Sequence, residues 1–190
     1  MLARPKVGML LFLVTEVVFF AMLILAFIYY RNSPANTGGP TPYNALDVGR
    51  TAIFTASLLS SSLTIWLSVS AFKKGHERRG SFWLAATIVL GAVFLYGQGS
   101  EYLTLFGEQN VATGSDVFTS SFFALTGFHG AHVTGGLVLL CIALFLALRG
   151  AFAGGSRVVA IETISYFWHF VDAVWVVIFP TVYLWALLGR

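Results

Sequence analysis

The chain has a single cysteine, Cys141, and it lies in an apolar run. That excludes a disulfide framework and a cysteine-based metal site. Charge is almost as scarce: only 10% of the residues are Asp, Glu, Lys or Arg. There are no extended charge runs and no soluble linkers, which argues against a nucleic-acid partner. Internal repeats and low-complexity tracts are missing too. The first apolar run ends without a small-residue cleavage site, so no cleavable signal is evident.

What the chain has in excess is apolar surface. Of its 190 residues, 57% are hydrophobic and 16% aromatic, and the mean hydropathy is +0.82. A soluble domain of this size cannot hide that much, so the composition predicts an integral membrane protein. Five segments exceed the roughly 20 residues needed to cross a bilayer: 7–30, 51–72, 82–106, 117–148 and 159–188. The fold class expected is therefore all-α, one transmembrane domain over 1–190 built as a bundle of five helices. The connections between the spans carry the breakers and the charge. Residues 31–50 are rich in Pro, Gly and Asn, 73–80 (KKGHERRG) and 149–157 are basic, and 107–116 is acidic.

The basic residues set the expected orientation. Placing 73–80 in the cytoplasm puts Arg4, Lys6, Lys73, Lys74, Arg78, Arg79, Arg149 and Arg157 inside, and only Arg31, Arg50 and Arg190 outside. The positive-inside rule then predicts a cytoplasmic N-terminus and a periplasmic C-terminus.

Against this background the titratable residues inside the spans stand out, because ionisable groups in hydrocarbon are costly and rare. They are Glu16, Glu101, His129, His132, His169 and Asp172, with Glu162 near the cytoplasmic edge of the fifth span. At about 1.5 Å per residue, Glu16 lies ~14 Å along the first span, His169 ~15 Å along the fifth and His129 ~18 Å along the fourth, all near the midplane. His129 and His132 are three residues apart, as are His169 and Asp172, so each pair shares a helix face. Glycines 91, 97, 99, 127, 130, 135 and 136 are expected to let backbones approach closely. The hydroxyls of Ser57, Ser60, Ser61, Ser62 and Thr64 are expected to bond across such contacts. Trp168 and Trp175 flank the polar stripe of the fifth span and face either the bundle or a partner.

Three readings of the polar set compete. It can be a structural network fixing the packing of the bundle. It can be a metal site, since His and carboxylate ligands suit Zn or Fe, although no Glu-x-x-His pair of the di-iron kind occurs. Or it can handle protons or lipid, with Glu16 foremost because hydrocarbon disfavours a charged carboxylate. A stand-alone metalloenzyme or a small transporter would belong to a different class. The transporter is expected to have discontinuous helices, and Pro180 is the only proline deep in a span.

Read together, SSFFALTGFHGAHVTGG (120–136), YFWHFVDAVW (166–175), FLVTEVVFF (12–20) and GQGSEY (97–102) resemble subunit III of the haem–copper oxidases, and specifically the cytochrome c oxidase kind. The resemblance covers nearly the whole chain. It implies a non-redox accessory subunit of a proton-pumping oxidase in the bacterial inner membrane. Such a subunit binds no haem or copper itself, these being carried by partner subunits. It packs against subunit I, with subunit II and smaller subunits as further contacts. It also holds structural phospholipid and supports proton entry. Glu16 falls at the family's intramembrane glutamate, known for reacting with carbodiimides. The chain resembles the short, five-helix form, which begins where the third helix of longer members would. Subunit III of the quinol oxidases and a relative associated with nitric oxide reductase are the neighbouring alternatives; Glu16 and Phe128 favour the cytochrome c branch. The residues expected to carry the polar network are Glu16, Glu101, His129, His132, Glu162, His169 and Asp172, with no catalytic residue, cofactor ligand or metal ligand among them.

Overall fold

A computed structural model describes residues 4–31, 48–107, 117–150, 152 and 158–184. Among them the regular structure is entirely helical: α1 (Arg4–Arg31), α2 (Val48–Lys73), α3 (Glu77–Gly107), α4 (Val117–Leu148) and α5 (Val158–Phe179), the last continued by one turn of π-helix, Pro180–Leu184. All five are long and apolar enough to cross a membrane. Most of the expected connections 31–50, 107–116 and 149–157, and the last residues of the expected fifth span, 185–188, lie outside the described residues.

Three helices start three or more residues earlier than hydropathy alone predicts. α1 begins at Arg4, α2 at Val48 and α3 at Glu77. The cause is that backbone hydrogen bonding continues after the side chains turn polar, so helices outrun the hydrocarbon. Glu77 favours that extension, since a carboxylate suits the positive end of the helix dipole. The fifth α-helix stops at Phe179 because Pro180 has no N–H and crowds the preceding turn. A π-turn absorbs the break.

The helices alternate in direction. Lys6 of α1, Lys73 of α2 and Glu162 of α5 meet at one end, where Phe72 also packs on Phe152 beyond α4, with ring centres 5.3 Å apart. Thr51 of α2, Glu101 of α3 and Tyr183 after α5 meet at the other. The reversal from α2 to α3 needs only residues 74–76. Gly75 adopts φ +75° there, the left-handed conformation glycine tolerates best.

α2 and α3 form a tight hairpin. α5 packs on α1, α2 and α4, and α4 on α1, α3 and α5. The centre is filled by fully buried Trp168, Trp175, Tyr183, Phe27, Phe94 and Phe122. α1 is the most peripheral helix. Its covered positions include Lys6, Met9, Leu13, Glu16, Phe20, Leu23 and Phe27, one stripe at helical spacing, while Leu11, Val14, Val18, Met22 and Leu25 face outward.

Candidate functional site

Trp168 explains how four helices come close. Its indole N–H donates to Ser61 Oγ of α2 at 2.8 Å. The ring lies against Gly91 of α3 and Gly136 of α4, where an added Cβ would sit 2.7 and 2.8 Å from it. Gly97 is likewise pressed against the Phe54 ring. At Gly99, Gly130 and Gly135, in contrast, an added Cβ would meet nothing within 4 Å. The expectation of close backbone approach is thus met at Gly91, Gly97 and Gly136 and corrected at those three, which look outward. Trp175 also turns into the bundle and donates to Thr55 Oγ1 at 3.0 Å.

The titratable residues fall into separate local groups. At one end Glu162 contacts the ammonium groups of both Lys6 and Lys73, tying α5 to α1 and α2. Neither lysine stood out in the sequence as a partner. Their signal was the basic edge of the spans, which reads equally well as topology alone.

Deeper in, Glu16 of α1 meets His132 of α4, a carboxyl oxygen lying 3.1 Å from Nε2. His132 Nδ1 lies 2.7 Å from the Phe128 carbonyl. A carbonyl only accepts, so Nδ1 carries a hydrogen. A neutral ring then has a bare Nε2, and the bond to Glu16 needs one further proton. That proton rests either on the carboxyl or on the imidazole, so the pair shares one labile hydrogen. Both side chains are largely covered.

Between α2 and α5, the Ser62 hydroxyl contacts Asp172 Oδ2 and lies 3.0 Å from His169 Nδ1. With its one hydrogen given to the carboxylate, Ser62 accepts from the ring, so the order is His169, Ser62, Asp172. Asp172 Oδ1 is buried with no partner among the described residues. The run of hydroxyls on α2 was the sequence signal for this contact.

At the opposite end Glu101 accepts from Thr51 at 3.2 Å, Gln98 at 3.3 Å and Tyr183 at 2.7 Å. A cavity of about 60 Å³ lies beside it, lined by Arg50, Thr51, Gln98 and Thr104 among others.

His129 stands apart. It is completely buried and stacked on Trp175 with ring centres 4.8 Å apart. Phe94 and Phe20 present their edges at 5.9 and 6.4 Å. Neither ring nitrogen has a hydrogen-bond partner among the described residues. Although His129 and His132 are one turn apart, one points to the aromatic centre and the other to α1. Among the described residues no three His, Cys, Asp or Glu side chains converge as a set that could hold a metal ion.

The fold is thus that of a multi-pass membrane bundle in which Glu16, Glu101, Glu162 and Asp172 bond from helix to helix. The family described as cytochrome c oxidase subunit III matches residues 3–187. The chain is 37% identical over 186 residues to a protein of Corynebacterium diphtheriae named cytochrome c oxidase subunit 3, covering 96% of this chain and 90% of that one. It is 38% identical over 184 residues to the protein of that name from Bacillus subtilis, covering 96% and 86%. For the Synechocystis protein the values are 35% over 178 residues, 93% and 74%. The chain belongs to the cytochrome c oxidase subunit III family.

Proposed function

We propose that this chain is the non-catalytic accessory subunit of a proton-pumping cytochrome c oxidase in a bacterial inner membrane. The oxidase complex carries the redox chemistry, with haem and copper in partner subunits and no redox centre in this chain. Its main contact is the catalytic subunit I, with subunit II and smaller subunits around it. The family match over residues 3–187 carries this reading. The polar geometry supports it, since Glu101, Glu162 and Asp172 are engaged in contacts between helices.

The N-terminus faces the cytoplasm and the C-terminus the periplasm. The clustering of Lys6, Lys73 and Lys74 with the starts of α3 and α5 at one end supports that orientation. Proton and lipid handling is the supporting role, for which the shared proton of Glu16 and His132 is the chemical basis. The test is to tag the chain, extract it in mild detergent and identify its companions by mass spectrometry and optical spectroscopy. Haem-bearing subunit I is expected in stoichiometric amount. Recovery of the chain alone, or with a quinol oxidase, overturns the reading.

A further inference from the structure

Gln98 is only 6% exposed, yet one half of its amide is unaccounted for. Its Nε2 donates to the Glu101 carboxyl at 3.3 Å. A carboxylate oxygen accepts, so the nitrogen must be the atom turned to it and the carbonyl oxygen the other. That oxygen, Oε1, is buried and bonds to no described residue. Buried carbonyl oxygens without a partner are rare, because they have given up water and gained nothing. Gln98 borders the cavity of about 60 Å³ between the ends of α2 and α3. One water needs ~10–15 Å³ of such space, and two or more polar partners. The wall supplies them: Glu101 and Thr104 stand beside Gln98, with the rings of Phe54 and Phe94 opposite in character. The Thr104 hydroxyl gives its hydrogen to the Ser100 carbonyl at 3.1 Å, so its oxygen is left as an acceptor.

The same wall excludes other small occupants. An anion would meet the oxygens of Glu101, Gln98 and Thr104. A metal cation would meet the guanidinium of Arg50, which also lines the cavity, and a carboxyl already accepting from three side chains. An apolar molecule would suit Phe54 and Phe94 but leave Gln98 Oε1 unbonded. We propose that the cavity is an internal water site, in which a water donates to Gln98 Oε1 and is steadied by the oxygens of Glu101 and Thr104. The water completes the polar contact through which Gln98, Glu101 and Tyr183 hold the end of α5 to α3. It goes beyond the proposed function, since it depends on the fold and not on the redox partner.

The experiment is X-ray radiolytic footprinting of the assembled complex. A brief pulse splits bound water, the hydroxyl radical adds to the nearest ring, and mass spectrometry locates the added oxygen. Phe94 is 1% exposed and Phe122 0%, but only Phe94 lines the cavity. Phe94 is therefore expected to be labelled well above Phe122. Gln98→Leu removes the acceptor, and the excess at Phe94 should be lost. Phe94 also touches the His129 ring, so an excess that survives Gln98→Leu comes from water elsewhere and overturns the proposal. Labelling of Phe94 no greater than that of Phe122 does the same. Two measurements on the parent complex need no variant. A high-resolution map should show a density peak about 3 Å from Gln98 Oε1, the length of an ordinary hydrogen bond, and its absence counts against the site. Under xenon pressure the cavity should stay free of xenon, which enters dry apolar cavities; a xenon atom between Phe54 and Phe94 overturns the proposal.

Discussion

Glu16 of α1 and His132 of α4 share one hydrogen, because the second nitrogen of His132 already donates to the Phe128 carbonyl. The substitution Glu16→Gln removes the titratable carboxyl and keeps a donor, since the amide N–H can reach the bare Nε2. We expect assembly to be intact and thermal stability within about 1 kcal/mol of the parent. Glu16→Leu removes the bond altogether and should cost roughly 1 kcal/mol, the scale of interhelical hydrogen bonds in membranes. Thermal inactivation of the purified complex measures both. If the Gln variant does not assemble, the pair is a structural pin and its proton is incidental.

The Trp168 contacts make a steric prediction. Gly136→Ala would place a methyl 2.8 Å from the indole, and Gly91→Ala one at 2.7 Å. Each should destabilise by about 1–3 kcal/mol through overpacking. Gly135→Ala, one residue from Gly136 but facing open space, should be neutral or slightly stabilising, because glycine is a poor helix former. A midpoint shift in heat or denaturant separates the three. Equal effects at positions 135 and 136 would show that α4 is rotated from the orientation described.

The Glu162 clamp joins the start of α1 to α2 and α5. Glu162→Gln leaves two lysines facing each other without their carboxylate, so the first turns of α1 should loosen. Hydrogen exchange of residues 8–11, the first amides of α1 with an intrahelical acceptor, should speed up, and exchange near Trp168 should not. Adding Lys6→Met to the Gln variant removes the repulsion between the two lysines and should restore part of the protection, a non-additive pair of the kind expected for neighbours. Full additivity would mean that the contact contributes nothing.

The five spans were legible because hydropathy over 20 or more residues has few competing explanations. Their ends were less so, since hydrogen bonding does not stop where the apolar side chains do, as Glu77 and Val48 show. The titratable residues were also legible as a set, because each is out of place in hydrocarbon. Their pairing was not. Glu16 meets His132 across 116 residues of sequence, and which face of α4 turns to α1 is decided by how the helices rotate around Trp168 and Phe20. Ser62 could be picked out only as one hydroxyl in a run of several. Lys6 and Lys73 read as markers of topology, which hid their role as partners of Glu162.

His129 yields the clearest test of whether a titratable residue in the core is needed there as such. Its ring is completely buried, stacked on Trp175 and edged by Phe94 and Phe20, and neither nitrogen bonds to a described residue. An unsatisfied buried polar group costs about 1–3 kcal/mol, and an apolar group of similar shape removes that cost. His129→Phe should therefore be neutral or stabilising, whereas His129→Ala should lose about 3 kcal/mol or more through the cavity it leaves. Thermal midpoints of the assembled complex give both values. A Phe variant as damaged as the Ala variant would mean that the imidazole nitrogens, and not the flat ring, are what this position requires.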